Sequence, residues 1–265
     1  MNIAMSSMGK DSMAMLYTMK KFNIPIDMIV YVRIMFDKNT SAEIPEHEEW
    51  IFNYAIPKIK QDFGIDVIIL QSEKNYIDLF NTAITRGNRK GKNRGFPLLF
   101  GSWCHRDLKI APAKKFLKQF GKDCVQYLGI ACDETNRIGW EISQGNKMPL
   151  VDYNITEEEA KQICIENNVL SPAYKKFDRL GCWFCHKQGN KPLQKVINNY
   201  PELYHKLEEL DDKSNIKFKQ KYTAKEIKEK LKNAKNIKNK WNFMWKGEKQ
   251  WKLWLIGKKK QTKII

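Results

Sequence analysis

Short apolar runs rich in β-branched residues alternate with segments of helical periodicity through the first 150 residues. Such runs indicate buried strands, and apolar positions at helical spacing indicate amphipathic helices. Strands separated by helices form βαβ units, which predicts an α/β fold with a doubly wound, mainly parallel sheet. The predicted strands are residues 2–5, 26–34, 67–70 and 125–130, and the predicted helices are residues 12–22, 46–63, 76–84 and 113–120. Residues 85–101 are rich in glycine and arginine and lack a period, which predicts a long loop of the kind that is usually functional or disordered.

The second half of the chain reads as helices and turns. Thr156 precedes three glutamates and is predicted as a helix N-cap, because its hydroxyl can accept an amide hydrogen and acidic residues suit the helix dipole. Residues 181–189 form a turn-rich knuckle. Helical segments follow from Pro192, with new starts near Pro201 and Thr223.

Positive charge is concentrated at the C-terminal end. The net charge is +17, yet residues 1–212 hold 29 basic and 27 acidic residues, whereas residues 213–265 hold 18 lysines and three glutamates. We therefore predict one domain at 1–211 and a basic, helical extension at 212–265. A polycation favours phosphate-rich partners, so we expect contact with tRNA or DNA; a solvated lysine-rich helix is the alternative. We expect the tryptophans between 241 and 254 mostly to dock on the domain, although they could stack on unpaired bases.

Composition excludes some classes of protein. Hydrophobic residues make up 42% of the chain, and the mean hydropathy is -0.58, which argues against global disorder and against an integral membrane protein. The chain has no apolar run of membrane-spanning length, and its first residues do not resemble a signal peptide. We therefore expect a cytoplasmic protein that does not bind membranes. In a reducing compartment its six cysteines are expected to be core thiols, metal ligands or reactive groups.

The first predicted strand is followed by a short polar turn and then a helix. The turn reads Ser6-Ser7-Met8-Gly9-Lys10-Asp11-Ser12. Backbone amides and small hydroxyl side chains at such a turn form a cradle for phosphate beside the helix N-terminus. The run does not have the Walker A pattern. The candidate nucleotide-binding residues in this turn are Ser7, Gly9, Lys10, Asp11 and Ser12.

This turn resembles the S-G-G-K-D-S loop of the PP-loop ATP pyrophosphatase superfamily, with Met8 in place of the first glycine. Later segments are similar to motifs of its phosphoadenosine phosphosulfate reductase-like group, in the same order over about the first 200 residues. These segments are Phe36-Asp37 with Glu43-Ile44-Pro45-Glu46, the run Trp103–Lys109, the run Gly129–Arg137, the run Pro149–Glu158, and Gly181-Cys182-Trp183-Phe184-Cys185. The resemblance implies an adenine nucleotide alpha hydrolase-like fold that binds ATP and cleaves it between the α- and β-phosphates.

Charged residues near the predicted carboxyl ends of the strands suit nucleotide chemistry. Arginine and lysine bind phosphate oxygens or stabilise charge that develops at the α-phosphorus, and carboxylates hold Mg2+ together with phosphate and water. The candidates for Mg2+ are Asp11, Asp133 and Glu134. The candidate catalytic residues are Lys10, Asp11, Arg106, Lys109, Asp133 and Arg137, and the nucleotide-binding set also includes Asp37 and Glu134.

Cys182 and Cys185 form a CxxC pair in a tight turn, a spacing that presents two thiolates to one metal. The resemblance makes Cys104 the third ligand. The fourth is Cys132, His105, His186 or a non-protein group. Soft thiolates suit a 4Fe-4S cluster, which we prefer, or Zn2+. Two further cysteines, Cys124 and Cys164, lie in apolar patterns and are expected in the core, and the helical histidines His47 and His205 are expected at the surface.

Taken with the resemblance, these features predict an ATP pyrophosphatase that adenylates a substrate. A sulfur nucleophile would then displace AMP, so that tRNA or DNA is thiolated with the help of a sulfur-donor protein. One alternative is a sulfonucleotide reductase, which requires a C-terminal cysteine, whereas no cysteine follows Cys185. The other is a nucleic-acid-binding protein that keeps the fold and has lost catalysis.

Overall fold

The computed structural model describes residues 1–98 and 101–233 and has a mixed α/β architecture. Its sheet has four strands, all parallel, in the order β3-β2-β1-β4. The strands are β1 (Asn2–Met5), β2 (Met28–Arg33), β3 (Val67–Gln71) and β4 (Val125–Leu128). The predicted parallel α/β sheet is therefore confirmed for the described residues. The lysine- and tryptophan-rich segment from residue 234 onward lies outside them.

The central strands β1 and β2 form where apolar, β-branched residues are buried on both faces of the sheet, whereas the edge strands β3 and β4 are only partly buried. Ile3 in β1 and Ile29 and Val30 in β2 have no exposed surface. The central strand β1 pairs with β2 on one side and with β4 on the other. Because the chain crosses over to both sides of β1, a crevice opens at the carboxyl ends of β1 and β4, which is where parallel sheets bind ligands.

Helices connect the strands and cover the sheet. They are α1 (Lys10–Lys21), α2 (Pro45–Trp50), α3 (Ile56–Phe63), α4 (Tyr76–Asn81), α5 (Trp103–His105), α6 (Ala111–Leu117), α7 (Thr135–Ser143), α8 (Pro149–Asp152), α9 (Glu157–Glu166), α10 (Asn190–Asn199) and α11 (Pro201–Asp211). Residues 224–233 are helical as well. None of the helices in residues 1–98 and 101–233 is long and apolar enough to cross a membrane.

The helix predicted at 76–84 already ends at Asn81, and two other predicted helices adjoin or contain a π-helical turn. A π-helical turn, Ile51–Ala55, joins α2 to α3, and another, Arg106–Ile110, joins α5 to α6. The helix predicted at 113–120 therefore belongs to a longer helical segment, which starts at Trp103. A π turn inserts an extra residue and shifts the apolar period, so the pattern of this segment does not repeat at helical spacing. The predicted cap at Thr156 is confirmed, since its hydroxyl accepts the Glu159 amide at 3.3 Å.

The buried residues form two clusters. One lies between α1, α3, α9 and the sheet, and Cys164 belongs to it, as expected. The other lies beyond the carboxyl edge of the sheet and contains Trp183. Phe218 and Ile227 are buried in this second cluster, so packing continues past Asp211. The division of the chain at residue 211 stays a prediction.

Candidate active site

A cavity of about 470 Å³ lies at the carboxyl edge of the sheet. Its walls come from the turn after β1, the end of β2, the start of α5, the residue after β4 and the knuckle at 181–189. These are the segments that the sequence singles out for chemistry, although they are far apart along the chain. The parallel topology brings them together because the carboxyl ends of the strands share one edge.

The turn after β1 is organised by the hydroxyl of Ser12. This hydroxyl accepts a hydrogen bond from the Ser7 amide at 3.1 Å and donates one to the Gly9 carbonyl at 3.0 Å. Ser7, Gly9, Lys10, Asp11 and Ser12 all line the cavity, as a nucleotide-binding turn requires.

Met8 occupies the glycine position of the motif and has a left-handed backbone with φ of 59°. Its side chain is fully buried in the cluster beneath α1 and is not part of the cavity wall. The Ser6 hydroxyl lies 3.5 Å from the Met8 sulfur. The methionine therefore fills the core side of the turn and does not narrow the cavity.

Lys10 lies in an ion triad with two carboxylates. Its Nζ is 2.6 Å from Asp11 and 2.8 Å from Glu157, and the residue is only 6% exposed. Burial opposes the charged form, but the hydrogen bonds that Lys10 donates to both carboxylates, together with their negative charge, outweigh it and raise the pKa of Lys10. Burial also raises the pKa of Asp11, against the influence of Lys10. Lys10 and Asp11 line the cavity, and Glu157 closes the triad behind them. Carboxylates that pair with a lysine can pair with Mg2+ instead, which would free the Lys10 ammonium to bind phosphate.

The Tyr174 hydroxyl is a further contact of this turn that the sequence did not single out. It accepts a hydrogen bond from the Lys10 amide at 2.8 Å and lines the cavity. This bond satisfies one of the free amides at the start of α1. Glu157, the other contact of Lys10, is found within the motif run Pro149–Glu158, where it also belongs to the first turn of α9.

The predicted cations separate into two groups. Lys109 and Arg137 line the cavity, as do Arg179 and Lys187 from the knuckle region. Arg106 lies outside the cavity wall, with a side chain that is 65% exposed and paired with Asp107 at 2.6 Å. The cavity therefore has more cations than carboxylates, which favours an anionic ligand.

The predicted acidic residues are also divided. Asp11 lines the cavity. The Asp133 carboxylate accepts the Glu157 amide at 3.1 Å and so caps α9. Glu134 is paired with Arg137 at 2.8 Å and with Arg179 at 3.8 Å.

Asp37 is held within its own turn. Its carboxylate accepts the Thr40 amide at 2.7 Å and the Lys206 ammonium at 2.7 Å. Burial opposes ionisation, but these hydrogen bonds outweigh it and lower the pKa of Asp37. The carboxylate is therefore ionised, and in this structure it fixes the loop after β2.

Three of the four predicted thiol ligands, Cys104, Cys182 and Cys185, line the same cavity, with His105 and His186 beside them. Burial, and then the nearby Cys185, raises the pKa of Cys104 to about 11. Burial followed by Glu43 raises the pKa of Cys182 well above its usual value. These two thiols are therefore protonated at neutral pH, unlike the thiols of redox-active CxxC pairs.

The donor types around this wall fit a soft metal ion, because a bound cation would offset the cost of ionising buried thiols. Within the described residues, however, no three His, Cys, Asp or Glu side chains are grouped closely enough to hold a metal ion. Cys132 is not part of the cavity wall, and its amide donates to the Ile155 carbonyl at 2.9 Å. The metal centre stays a prediction.

The sequence does not reveal the surroundings of two further side chains of the cavity wall, the buried His47 and the partly buried Glu43. Contrary to expectation, His47 is 1% exposed, and its Nδ1 lies 2.9 Å from the Ser171 hydroxyl, while burial lowers its pKa to about 4. Its Nε2 lies 4.0 Å from Glu43, whose pKa is raised to about 7 by burial, with Lys109 acting in the opposite direction. The sequence singles out the run that contains Glu43. The burial of the Glu43 carboxyl, however, depends on contacts with distant parts of the chain, which leave no local signal.

Two tyrosine hydroxyls at the cavity, those of Tyr31 and Tyr76, are buried and have no hydrogen-bond partner among the described residues. Burial raises the pKa of Tyr76 well above its usual value, and the thiols of Cys104, Cys185 and Cys182 raise it further. A hydroxyl of this kind is available to donate a hydrogen bond to a ligand in the cavity.

No family model matches the chain, and no solved structure matches it. The chain is 25% identical over 224 residues to the uncharacterized protein MJ0066 of Methanocaldococcus jannaschii, a match covering 78% of this chain and 42% of that protein. It is 26% identical over 133 residues to the uncharacterized protein MJ0973 of the same organism, covering 44% and 32% respectively. The matches span less than half the length of either relative. Since neither name states an activity, the function has to be inferred from the residues of the site.

Proposed function

We propose that this chain is a PP-loop ATP pyrophosphatase of the phosphoadenosine phosphosulfate reductase-like group, with an adenine nucleotide alpha hydrolase-like fold. The observation that carries the proposal is the Ser6–Ser12 turn, which faces the cavity from the carboxyl end of the central strand. A turn of this composition at the start of α1 suits the pyrophosphate part of ATP. The four parallel strands supply the sheet that such a fold needs.

The cations of the cavity suit cleavage between the α- and β-phosphates. Lys10 is held beside the turn, while Lys109 and Arg137 approach from α5–α6 and from α7. Such groups stabilise charge that develops on the phosphate oxygens in the transition state. Asp11 and Glu157 are the carboxylates that would hold Mg2+, which neutralises phosphate charge when it is bound.

We propose that the product of this step is an adenylated oxygen on a nucleic acid, tRNA or DNA, and that a sulfur nucleophile then displaces AMP. Cys104, Cys182 and Cys185 would hold a 4Fe-4S cluster, or alternatively Zn2+, and the cluster would supply a metal ion able to bind sulfur. Burial raises the pKa of Cys104 and Cys182, which disfavours them as free nucleophiles towards a sulfonucleotide, whereas a bound metal ion would offset the cost of ionising them.

The test is release of pyrophosphate from ATP by the full chain, with RNA, with DNA and with neither. We expect release to depend on Mg2+ and to be abolished in Asp11→Asn, with Asp66→Asn as a matched control because Asp66 is exposed and pairs with the exposed Lys60. Hydrolysis that persists in Asp11→Asn, or the absence of pyrophosphate under every condition, would rule out the proposal. Pyrophosphate only in the presence of one nucleic acid would identify the substrate class.

A further inference from the structure

The glycine- and arginine-rich stretch that the sequence predicts as a loop begins as an ordered hairpin, residues 82–95, which we call the basic hairpin. Its two arms are joined by backbone hydrogen bonds. Ile84 donates to the Lys92 carbonyl at 2.8 Å, Gly91 donates to the Ile84 carbonyl at 2.9 Å, and Arg94 donates to the Thr82 carbonyl at 2.9 Å. An antiparallel bridge pairs Ala83 with Asn93.

The hairpin is fixed to the body of the protein at its base. Phe96 is fully buried, with its ring 5.3 Å from that of Phe80 and 5.2 Å from that of Phe218. Its amide donates to the Ser214 hydroxyl at 3.2 Å, and the Asn93 side chain donates to the Lys213 carbonyl. These contacts attach the base of the hairpin next to Pro97, which lines the cavity.

Ten consecutive residues, 85–94, contain five cations, no carboxylate and no large apolar side chain. Two of the five have structural partners. Arg94 pairs with Asp107 at 2.8 Å, and Arg89 donates to the carbonyls of Asn93 and Arg94. The other three are exposed and have no carboxylate partner among the described residues; they are Arg86, Lys90 and Lys92.

A cationic path connects the hairpin to the cavity. Asp107 pairs with both Arg94 and the exposed Arg106, so these two guanidinium groups lie side by side. Arg106 directly follows His105, which lines the cavity, and Lys109 on the same helical segment also lines it. Pro97, at the base of the hairpin, is another part of the cavity wall.

We propose that the basic hairpin binds the phosphodiester backbone of a nucleic acid and directs the strand toward the cavity. The exposed cations stand at positions 86, 90 and 92, on both arms of the hairpin, and several cations in one segment suit a chain of repeated negative charges better than a single phosphate group. Protein partners are bound through desolvated aromatic and apolar anchors, which this segment lacks, whereas backbone contacts to nucleic acid need only cations and polar groups. The inference deepens the proposed function. Binding of nucleic acid by the hairpin is argued independently, and only the reaction at the cavity rests on the proposed function.

The test compares two triple variants of the full chain in their binding to labelled single-stranded RNA, single-stranded DNA and duplex DNA. Arg86→Ala/Lys90→Ala/Lys92→Ala removes the three exposed cations of the hairpin. Lys114→Ala/Lys115→Ala/Lys118→Ala removes three exposed cations near the far end of α6, about 15–20 Å along the helical segment from His105. Far-UV circular dichroism and thermal unfolding establish that both variants are folded.

The logarithm of affinity falls with the logarithm of salt concentration by about 0.7–0.9 per neutralised phosphate. We expect the hairpin variant to have a slope that is flatter by about 2–3, which corresponds to an affinity about 100- to 1,000-fold weaker at about 0.1 M salt. The α6 variant should keep the wild-type slope. Comparing the three ligands identifies the backbone that is bound.

An unchanged slope in the hairpin variant would overturn the inference, as would an equal loss in the α6 variant. Polyglutamate that competes as well as nucleic acid would point to an acidic protein partner and would also overturn it. Asp11→Asn separates this inference from the proposed function, because it should abolish pyrophosphate release and leave nucleic-acid binding intact. If the wild type releases no pyrophosphate but the hairpin variant shows the expected slope, the inference stands and the proposed reaction fails.

Discussion

Gly129, the first residue after β4, lies against the backbone of Ser12 at the start of α1. A β-carbon on Gly129 would stand 2.5 Å from the Ser12 Cα and 2.6 Å from its nitrogen. No side chain can be accommodated at that distance unless the backbone moves. The contact holds the end of β4 against the turn that we propose binds pyrophosphate.

Gly129→Ala should therefore force β4 and α1 apart. We expect a loss of about 1–3 kcal/mol in the free energy of unfolding, the usual cost of overpacking, and reduced pyrophosphate release because the turn is displaced. Gly139→Ala is the matched control, since no atom lies within 4 Å of the added carbon and the position is inside α7. That variant should be up to about 1 kcal/mol more stable than the wild type. Urea unfolding of both variants measures the difference, and equal stabilities would contradict the contact.

The central strands β1 and β2 were predictable from the sequence because they are buried on both faces, as Ile29 and Val30 illustrate, so they form continuous apolar runs. The nucleotide turn was predictable because its residues are adjacent in the chain. The triad was only partly predictable, since Lys10 and Glu157 are 147 residues apart. The burial of His47 against Ser171 spans 124 residues and leaves no local signal. Contacts of this kind are decided by tertiary packing rather than by periodicity.

Met8→Gly tests whether the methionine is a core residue or a constraint on the cavity. Glycine relieves the left-handed backbone, a gain of about 1 kcal/mol, but removal of a fully buried methionine side chain costs about 2–5 kcal/mol. We therefore expect a net loss of stability in urea unfolding and an unchanged KM for ATP. A more stable protein with a changed KM would mean that Met8 shapes the nucleotide site.

Cys182→Ser tests the thiol wall of the cavity. We expect the protein, purified without oxygen, to contain either iron with sulfide or zinc, and this variant to lose most of that metal because the remaining donors do not complete the coordination. Cys124→Ser is the control, because Cys124 lies next to β4 and is not part of the cavity wall. Full metal occupancy in Cys182→Ser would show that the knuckle is a structural turn only.

The buried His47 should make the protein less stable in acid. Its pKa is lowered to about 4, whereas the unfolded chain has the ordinary value of about 6.5. The unfolded state therefore binds the proton first, and stability is lost as the pH falls from about 6.5 to about 4, by about 3 kcal/mol in total. Above this range both states are neutral and the histidine has no effect on the pH dependence.

His47→Gln removes this titration, so its free energy of unfolding should decrease less between neutral pH and pH 4.5 than that of the wild type. Glu43 acts in the opposite direction: its pKa, raised to about 7 by burial, gives stability that is present below its unfolded pKa of about 4.3 and is lost as the pH rises through 7. Because this contribution is common to both proteins, it cancels in the comparison to the extent that Glu43 titrates alike in both. His205→Gln, at an exposed position, is the control. Parallel pH profiles for His47→Gln and the wild type would contradict the buried, neutral histidine.

Tyr76→Phe tests whether the unpaired Tyr76 hydroxyl destabilises the metal-free protein and whether it donates a hydrogen bond to a group bound in the cavity. The Tyr76 hydroxyl is buried beside the three cavity thiols and has no partner among the described residues, so leaving it there costs about 1–3 kcal/mol. The metal-free variant should therefore be as stable as the metal-free wild type or more stable. Tyr204→Phe is the matched control, because the Tyr204 hydroxyl donates to the Ala224 carbonyl at 2.9 Å and its removal leaves that acceptor without the bond, at a similar cost.

If the Tyr76 hydroxyl donates to a group held by the thiols, Tyr76→Phe should also bind metal more weakly in competition with a chelator. A destabilised metal-free Tyr76→Phe would mean that the hydroxyl already has a partner in the protein.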